Sequence, residues 1–273
     1  MRQIKIGDFS IGDGGLFFIM GPCVIENELT TLNTLEELLR ITDSLSLPFV
    51  FKSSYDKANR TSVKSFRGPG LKKGLRVLKK AKKLFHVPVL TDVHCRHDIR
   101  DVAEVADIIQ IPAYLSRQTD LIVEAARSGR IVNIKKGQFM APRDVRLSVE
   151  KALSAGNSDV IVTERGVSFG YNNLTVDFRS IPLMREGGFP VVFDATHSVQ
   201  TPGGMGTCSG GDRTMARYLA RAAVAVGVDG IFMEVHADPD KALCDGPNSI
   251  RLADVNDIVR ELVEINGLVK KAG

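Results

Sequence analysis

The sequence has no long hydrophobic run, since none of its apolar stretches approaches the ~20 residues that a membrane-spanning helix requires. Its first eight residues also lack the apolar stretch of a secretory signal. Cysteine is scarce, and the four that are present do not suit a disulfide framework: Cys23, Cys95, Cys208 and Cys244. These features predict a cytoplasmic protein that does not act at a membrane and that keeps its cysteines as thiols.

The sequence also has little net charge, +4 in total. Its basic residues are dispersed, and the densest group falls in a segment where Leu71, Leu75 and Leu78 follow a helical period. That group is Lys72, Lys73, Arg76, Lys79, Lys80, Lys82 and Lys83. We interpret it as the solvated face of a helix, which would also attract anionic substrates. The charge pattern does not predict a nucleic-acid partner.

What the sequence does contain is a repeat of short apolar runs rich in β-branched residues. They cover 16–20, 48–52, 87–91, 108–111, 131–135, 159–163, 190–194 and 230–234. Such runs are typical of buried parallel strands, and segments of helical period separate them. No Gly-x-Gly-x-x-Gly turn of a dinucleotide-binding fold follows the first run. With 273 residues, near the roughly 250 of a TIM barrel, the pattern predicts an α/β protein with one (β/α)8 barrel domain over residues 1–273.

The two ends of the chain show local patterns of their own. Residues 4–11 alternate apolar and polar side chains around Gly7-Asp8, which predicts a β-hairpin within an extension of residues 1–14. This hairpin could plug one end of the barrel. At the other end, apolar residues from Val255 to Val263 follow a helical period, with Asp254 as a possible N-cap and Gly267 as a possible stop.

Residues that can bind a metal follow several of the predicted strands. In a (β/α)8 barrel the loops after the strands carry the active site, and the candidate ligands lie there: Cys23, His197, Glu234 and Asp245. A thiolate, an imidazole and two carboxylates suit a borderline divalent ion such as zinc or ferrous iron better than magnesium or calcium. The expected cofactor is a divalent metal: zinc, iron or manganese. Alternatively, the four residues are a buried thiol and hydrogen-bonded residues of the barrel mouth. The other cysteines are predicted to be structural.

Five cationic residues share the same predicted end of the barrel: Lys52, Lys57, Arg60, Lys135 and Arg165. Grouping them would be unfavourable unless anions neutralise them. We therefore expect substrates that carry phosphate or carboxylate groups, which arginine can hold with two parallel hydrogen bonds. In the alternative interpretation, part of this set forms ion pairs with Asp56, Asp92 and Glu164.

The stretch 201–211 is rich in glycine but lacks the Gly-Lys-Ser/Thr ending of a phosphate-binding Walker motif. We interpret it as a mobile lid after the seventh strand. The loop 235–251, which carries Asp245, could be a second lid.

Five motifs together resemble a known family. They are Lys57-Ala58-Asn59-Arg60-Thr61-Ser62, Thr91-Asp92-Val93-His94, Lys135-Lys136-Gly137-Gln138-Phe139, Asp194-Ala195-Thr196-His197-Ser198-Val199-Gln200 and Cys244-Asp245-Gly246-Pro247-Asn248. The chain resembles 3-deoxy-D-manno-octulosonate 8-phosphate synthase from about Gly21 to the last helix. The related synthase that opens aromatic amino-acid biosynthesis has Lys-Pro-Arg where this chain has residues 57–60.

This resemblance implies a barrel, usually a homotetramer, that condenses phosphoenolpyruvate with D-arabinose 5-phosphate and water for lipopolysaccharide biosynthesis. Lys135 and Arg165 would bind the phosphate of phosphoenolpyruvate, and Lys57 would lie near its carboxylate and C3. A neighbouring subunit would help to hold the sugar phosphate. The other implied binding residues are Asn59, Arg60 and Thr61 for the sugar, with Lys52, Asp92, Gln110 and Gln138 around them. The candidate catalytic residues are Lys57, Asp92, His197 and Asp245.

The family has a metal-dependent and a metal-independent branch, which differ chiefly in Cys or Asn at the position of Cys23. Cys23 and Asn248 both indicate the metal-dependent branch, whereas Gly137 stands where proline is common. Three alternatives remain. The chain could be a 3-deoxy-arabino-heptulosonate 7-phosphate synthase that uses erythrose 4-phosphate, a lyase with a Schiff base on Lys135, or a non-catalytic barrel that only binds phosphosugars.

Overall fold

The computed structural model describes residues 1–203 and 210–272, which form a closed barrel of eight parallel strands surrounded by eight helices. The barrel strands are β1 (Phe17–Gly21), β2 (Phe49–Lys52), β3 (Val89–Asp92), β4 (Ile108–Ile111), β5 (Ile131–Lys135), β6 (Val160–Glu164), β7 (Val191–Asp194) and β8 (Gly230–His236). Each strand pairs in parallel with the next, and β8 pairs with β1 to close the ring. The predicted (β/α)8 barrel is confirmed.

One helix follows each strand. The helices are α1 (Glu28–Ser44), α2 (Leu71–Phe85), α3 (Ile99–Ala103), α4 (Thr119–Arg127), α5 (Val145–Ser154), α6 (Ser180–Arg185), α7 (Arg213–Val226) and α8 (Val255–Ala272). Short strand pairs lie in the loops: Val167–Ser168 with Leu174–Thr175, Gln200–Thr201 with Gly210–Gly211, and Ile250–Arg251 beside the end of β8. Across the ranges described, no helix is both long and apolar enough to cross a membrane.

The basic segment is a solvated helix face, as predicted. It forms α2, where Leu75 and Leu78 are buried and most of the lysines are exposed. The predicted end of the last helix at Gly267 is wrong, because α8 continues to Ala272. Gly267 does not adopt the left-handed backbone conformation that ends a helix, and a glycine inside a helix costs only about 1 kcal/mol relative to alanine.

Side chains along each barrel strand alternate between two buried layers. Val132 and Ile134 of β5 face outward and pack with the helices, whereas Ile131 faces the barrel interior. This follows from the strand geometry, because successive side chains point to opposite faces of a sheet. Both faces are apolar, which explains why the strands read as continuous apolar runs.

The N-terminal hairpin closes the end of the barrel where the strands begin. Its strands, Ile4–Ile6 and Phe9–Ile11, pair antiparallel around Gly7-Asp8. Ile4, Ile6 and Ile11 are buried in the same cluster as the first inward-facing residues of the barrel strands. The predicted plug is therefore confirmed. Residues 204–209 of the predicted lid, including Cys208, lie outside the described residues.

We expect Ile6→Ala to lower the free energy of unfolding by roughly 2–5 kcal/mol, because it removes a buried side chain and leaves a cavity in the plug. Lys5→Ala is the matched control, since Lys5 is exposed between the two buried isoleucines. Equilibrium denaturation in urea measures both variants. Equal losses in the two variants would contradict the packing of the hairpin as a plug.

Candidate active site

The mouth at the carboxyl ends of the strands is built by the same alternation of side chains. Along β2, Val50 faces the barrel interior, so Lys52, two residues later, points the same way into the mouth. The same period brings the following residues there: Asp92, Gln110, Lys135, Arg165, Asp194 and Glu234. The polar layer therefore lies directly above the apolar interior of the barrel.

These side chains surround a cavity of about 310 Å³. The lining includes every residue predicted to bind substrate: Lys52, Asn59, Arg60, Thr61, Gln110, Lys135, Gln138 and Arg165. It also includes the predicted catalytic residues Lys57, Asp92, His197 and Asp245, and the predicted metal ligand Glu234. Cys23 lies beside the lining, with its Sγ 3.2 Å from Asp245 Oδ2. The structure thus brings all of the predicted site residues together.

Three of the five cations pair with carboxylates at the ends of other strands, and the longest of these contacts joins Lys57 Nζ to Glu234 Oε1 at 3.6 Å. Lys52 Nζ lies 2.7 Å from Glu234 Oε1, and Lys135 forms a close ion pair with Asp194. Burial opposes ionisation of Glu234, yet Lys52 and His197 hold its pKa well below the ordinary value. Burial lowers the pKa of Lys135, and Asp194 opposes that shift. Glu234 and Asp194 are therefore anions that belong to the site.

The carboxylates named in the alternative interpretation do not pair with these cations. Asp56 pairs with Arg67, which lies outside the cavity lining, and Glu164 pairs with Lys136. Asp92 contacts His94, and among the five cations it is Lys57 that most lowers the pKa of Asp92 against the effect of burial. The alternative is wrong for Asp56, which pairs with Arg67, and for Glu164, which points to the outer face of β6.

Arg60 and Arg165 have no carboxylate partner among the described residues. Arg60 Nη1 donates to Cys244 Sγ at 2.9 Å, and its Nε is buried without a hydrogen-bond partner in the described ranges. Arg165 Nη2 donates to Gln200 Oε1 at 2.8 Å, and its Nη1 is buried and equally unpartnered there. Burial lowers the pKa of Arg165. A buried donor without a partner is unfavourable, so both guanidinium groups are suited to bind an incoming anion.

The candidate metal ligands meet around Asp245. The donor atoms of His197, Glu234 and Asp245 lie within 4.8 Å of one another, and so do those of Cys23, Cys244 and Asp245. Asp245 Oδ2 joins the two triads, since it lies 3.9 Å from His197 Nε2 and 3.2 Å from Cys23 Sγ. The four predicted ligands are thus neighbours, grouped as two triads that share one carboxylate.

Asp194 orients the imidazole of His197. Its Oδ2 lies 2.7 Å from His197 Nδ1, which leaves Nε2 facing Glu234 at 3.6 Å. A carboxylate on the far nitrogen is typical of metal-binding histidines, because it sets the tautomer and the ring orientation. His197 and Lys135 hold the pKa of Asp194 well below its ordinary value, although burial opposes this. The donor set and its support fit a divalent ion such as zinc or iron.

Sequence reasoning missed three residues of the site. Cys244 was predicted to be structural but lines the cavity, and its position next to Asp245 was the available signal. Gln200 connects two functional groups, since it accepts from Arg165 and its Nε2 lies 3.2 Å from Asp245 Oδ1. Asp194 was recognised as part of the Asp194–Gln200 motif at the end of the seventh strand, but no role in the site was assigned to it. Cys95 is exposed and contributes to neither the core nor the site.

Gly137 has a packing role in the loop after β5. A Cβ at this position would lie 2.7 Å from the ring of Phe139 and 2.8 Å from Ser116 Oγ. Such contacts are closer than side chains tolerate, so glycine lets the aromatic ring rest on the backbone. Glycine in place of proline at this position therefore allows Phe139 and Ser116 to pack closely against the backbone.

A protein-family model described as the DAHP synthetase I family matches residues 2–271. The chain belongs to the DAHP synthetase I family. Within this family it is similar to proteins named 2-dehydro-3-deoxyphosphooctonate aldolase. The protein of this name from Geotalea daltonii is 59% identical over 99% of this chain and 100% of its own length. Those from Geotalea uraniireducens and Geobacter sulfurreducens are also 59% identical, over 99% and 98% of this chain and 100% and 99% of their own lengths.

For this member of the DAHP synthetase I family, we expect Asp194→Asn to lower metal affinity about 10- to 100-fold, because the amide cannot hold His197 as the carboxylate does. Competition with a chromogenic chelator measures the affinity. Asp107→Asn is the control, since Asp107 pairs with Lys82 away from the cavity. Wild-type metal affinity in Asp194→Asn would contradict the supporting role of Asp194.

Proposed function

We propose that the protein condenses phosphoenolpyruvate with D-arabinose 5-phosphate and water to give 3-deoxy-D-manno-octulosonate 8-phosphate and inorganic phosphate, for lipopolysaccharide biosynthesis. The observation that carries the proposal is the pair of guanidinium groups of Arg60 and Arg165 in one cavity, each with a buried N–H that has no partner among the described residues. They suit two anionic substrates held side by side. The names of the relatives describe an eight-carbon 3-deoxy keto acid phosphate, which is the proposed product.

Phosphoenolpyruvate occupies the part of the cavity lined by Lys135, Arg165 and Lys57. Lys135 and Arg165 lie at the ends of the neighbouring strands β5 and β6 and bind its phosphate, and the unpartnered Nη1 of Arg165 supplies one of the donors. Lys57 lies near the carboxylate and C3. Cys23 and Glu234 raise the pKa of Lys57 although burial opposes this, so it is a cation at neutral pH. It acts as a fixed positive charge.

The sugar phosphate binds to the loop after β2. Arg60 takes its phosphate, and Asn59 and Thr61 hold its hydroxyl groups beside it. The remaining polar lining, which positions both substrates, consists of Lys52, Asp92, Gln110 and Gln138.

The reaction joins the two substrates through carbon. C3 of phosphoenolpyruvate attacks the aldehyde carbon of the sugar, the aldehyde oxygen takes a proton, and water adds at C2 with loss of a proton. The C2–O bond to the phosphate then breaks while the new C2 hydroxyl group loses its proton to the departing phosphate, leaving a ketone and inorganic phosphate. Holding both anions in one cavity removes much of the entropic barrier of a bimolecular step. Lys57, Asp92, His197 and Asp245 are the groups that hold or move protons around these atoms.

A divalent metal, zinc, iron or manganese, would be held by Cys23, His197, Glu234 and Asp245. When bound, it supplies a Lewis acid that can orient or polarise the aldehyde. Support for the site comes from the two triads around Asp245 and from Asp194 behind His197. Burial, followed by the Cys244 thiol, raises the pKa of Cys23 well above the ordinary value. Metal binding therefore has to displace its proton.

The protein acts in the cytoplasm as a homotetramer. Support for assembly comes from exposed aromatic side chains on the loops after β4, β5 and β6, which leave the same end of the barrel. These side chains are Tyr114, Phe139, Phe169 and Tyr171. A group of exposed aromatic residues beside a binding cavity is typical of protein–protein contact surfaces.

A product assay tests the proposed function. Purified protein is incubated with phosphoenolpyruvate and either arabinose 5-phosphate or erythrose 4-phosphate, and the acid phosphate formed is identified by mass spectrometry. We expect the eight-carbon product from the pentose phosphate. Turnover of erythrose 4-phosphate alone would assign the seven-carbon synthase, and binding without product would assign a phosphosugar-binding barrel. Trapping of a keto substrate on Lys135 by borohydride would assign the lyase.

We expect Arg60→Ala to raise KM for arabinose 5-phosphate far more than KM for phosphoenolpyruvate. Losing a charge-assisted contact costs roughly 1.5–3 kcal/mol. Steady-state kinetics with each substrate varied in turn measures the two KM values. Arg67→Ala is the control, because Arg67 pairs with Asp56 outside the cavity lining. Equal effects on both substrates would contradict the sugar-phosphate role.

We expect Lys135→Met and Arg165→Met to weaken phosphoenolpyruvate binding and turnover together while the fold stays intact. Both side chains serve the mouth and not the apolar core. Isothermal titration measures binding, and circular dichroism checks the fold. Lys73→Met, on the exposed face of α2, is the control. Unchanged affinity in either variant would remove that residue from the phosphate site.

We expect about one zinc or iron per chain in the purified protein, because the four candidate ligands are residue types that bind such an ion, and we expect loss of turnover when a chelator removes it. His197→Ala should lower metal content sharply. Cys23→Asn should lower metal content while some chelator-resistant activity survives, and Cys95→Asn, at an exposed thiol, is its control. Elemental analysis and assays with chelator measure both. Full activity in excess chelator without bound metal would place the chain in the metal-independent branch.

A further inference from the structure

Lys136 and Glu164 form an ion pair that lies outside the cavity and that the proposed reaction does not use. Lys136 Nζ is 3.3 Å from Glu164 Oε1, and both side chains are almost completely buried. They face outward from the ends of β5 and β6, on the side where Ile134 and Val162 pack against the helices. An apolar pair of similar size would stabilise such a layer at least as well. The presence of charge here therefore calls for a role other than stability.

Glu164 holds the backbone that aims Arg165 into the cavity. Its Oε1 accepts hydrogen bonds from the backbone N–H of Arg165 at 2.9 Å and of Gly166 at 2.7 Å. Gly166 has a positive φ of 85°, so the chain turns sharply at this point. Glu164 Oε2 has no hydrogen-bond partner among the described residues. Among the described residues, one carboxylate oxygen of Glu164, Oε1, therefore accepts both backbone hydrogen bonds and also pairs with Lys136.

Lys136, the other member of the ion pair, contacts the neighbouring loop after β5. Its Nζ donates to the carbonyl oxygen of Met140 at 3.4 Å, in a turn closed by the hydrogen bond from Met140 N to Gly137 O. That turn presents Gln138 to the cavity, and Gln138 O accepts from Ser168 N in the loop after β6. One buried ion pair thus connects the two loops that follow Lys135 and Arg165.

We propose that Lys136 and Glu164 are positioning residues that set the spacing and direction of Lys135 and Arg165, the two cations that bind one phosphate. This proposal rests on the phosphate role given to Lys135 and Arg165 above. The pair acts through the backbone and does not touch the substrate. Its loss should therefore weaken the binding of phosphoenolpyruvate and leave the sugar-phosphate half of the cavity unchanged.

The test compares Glu164→Gln and Lys136→Met with a change at Asp229, a buried carboxylate whose ion-pair partner Arg185 is partly exposed, at the opposite end of the barrel. Asp229 is equally buried, pairs with Arg185 at 3.3 Å and accepts from the backbone N–H of Val191 at 2.8 Å. Asp229→Asn makes the same carboxylate-to-amide change far from the mouth. Steady-state kinetics, titration of phosphoenolpyruvate by calorimetry, and Tm are measured for each variant.

We expect Glu164→Gln and Lys136→Met to raise KM and Kd for phosphoenolpyruvate by about fivefold or more, with KM for the pentose phosphate within about twofold of wild type. Asp229→Asn should lower Tm and change neither KM. The proposal is overturned if Glu164→Gln and Lys136→Met lower Tm but leave phosphoenolpyruvate binding unchanged. It is also overturned if they raise both KM values equally, because the ion pair is then only structural.

Arg165→Met separates this proposal from the proposed function. If Arg165→Met weakens phosphoenolpyruvate binding and Glu164→Gln does not, the positioning role alone fails. If Arg165→Met leaves binding unchanged, the phosphate role of Arg165 fails, and the positioning proposal loses its basis whatever Glu164→Gln does.

Discussion

The two-residue period of the barrel strands is the constraint on which the site depends. Each strand sends alternate side chains into the barrel, so an apolar inward residue such as Leu90 is followed by an inward polar one, Asp92. Because the ring is closed and parallel, all these polar ends meet at one mouth. A shift of one residue in any strand would exchange the cavity residue with a residue of the helix-facing layer.

Charge in this mouth is balanced unevenly. Lys52 and Lys135 are neutralised by Glu234 and Asp194, whereas Arg60 and Arg165 keep buried N–H groups without partners in the described ranges. Together with these carboxylates, the paired lysines form a polar layer without net charge at the base of the cavity. The positive charges of the two arginines are not balanced by a paired carboxylate in the described ranges. Their N–H groups are therefore already placed to bind an anion before the substrate enters.

Much of the fold could be predicted because it rests on local patterns. The apolar runs and the turn at Gly7-Asp8 marked the strands and the hairpin, and the placement of functional residue types after the strands marked the mouth. The ion pairs could not be predicted, because the choice of Asp194 over Asp92 or Glu164 for Lys135 depends on the side chains that face each other across the closed ring. The grouping of Cys244 with Cys23 likewise joins residues that are 221 positions apart in the chain.

The hairpin plug also bears on the order in which the barrel can assemble. Its isoleucines share one cluster with an inward-facing residue of every barrel strand, from Phe17 of β1 to Phe232 of β8. The two hairpin strands are close together in the sequence, so they can pair early in folding. Their apolar face, however, has no complete surface to cover until β8 has met β1. The hairpin precedes all eight strands in the chain, yet its apolar face can be fully buried only when the ring is closed. Protection of the hairpin amides from hydrogen exchange therefore reports closure of the whole ring.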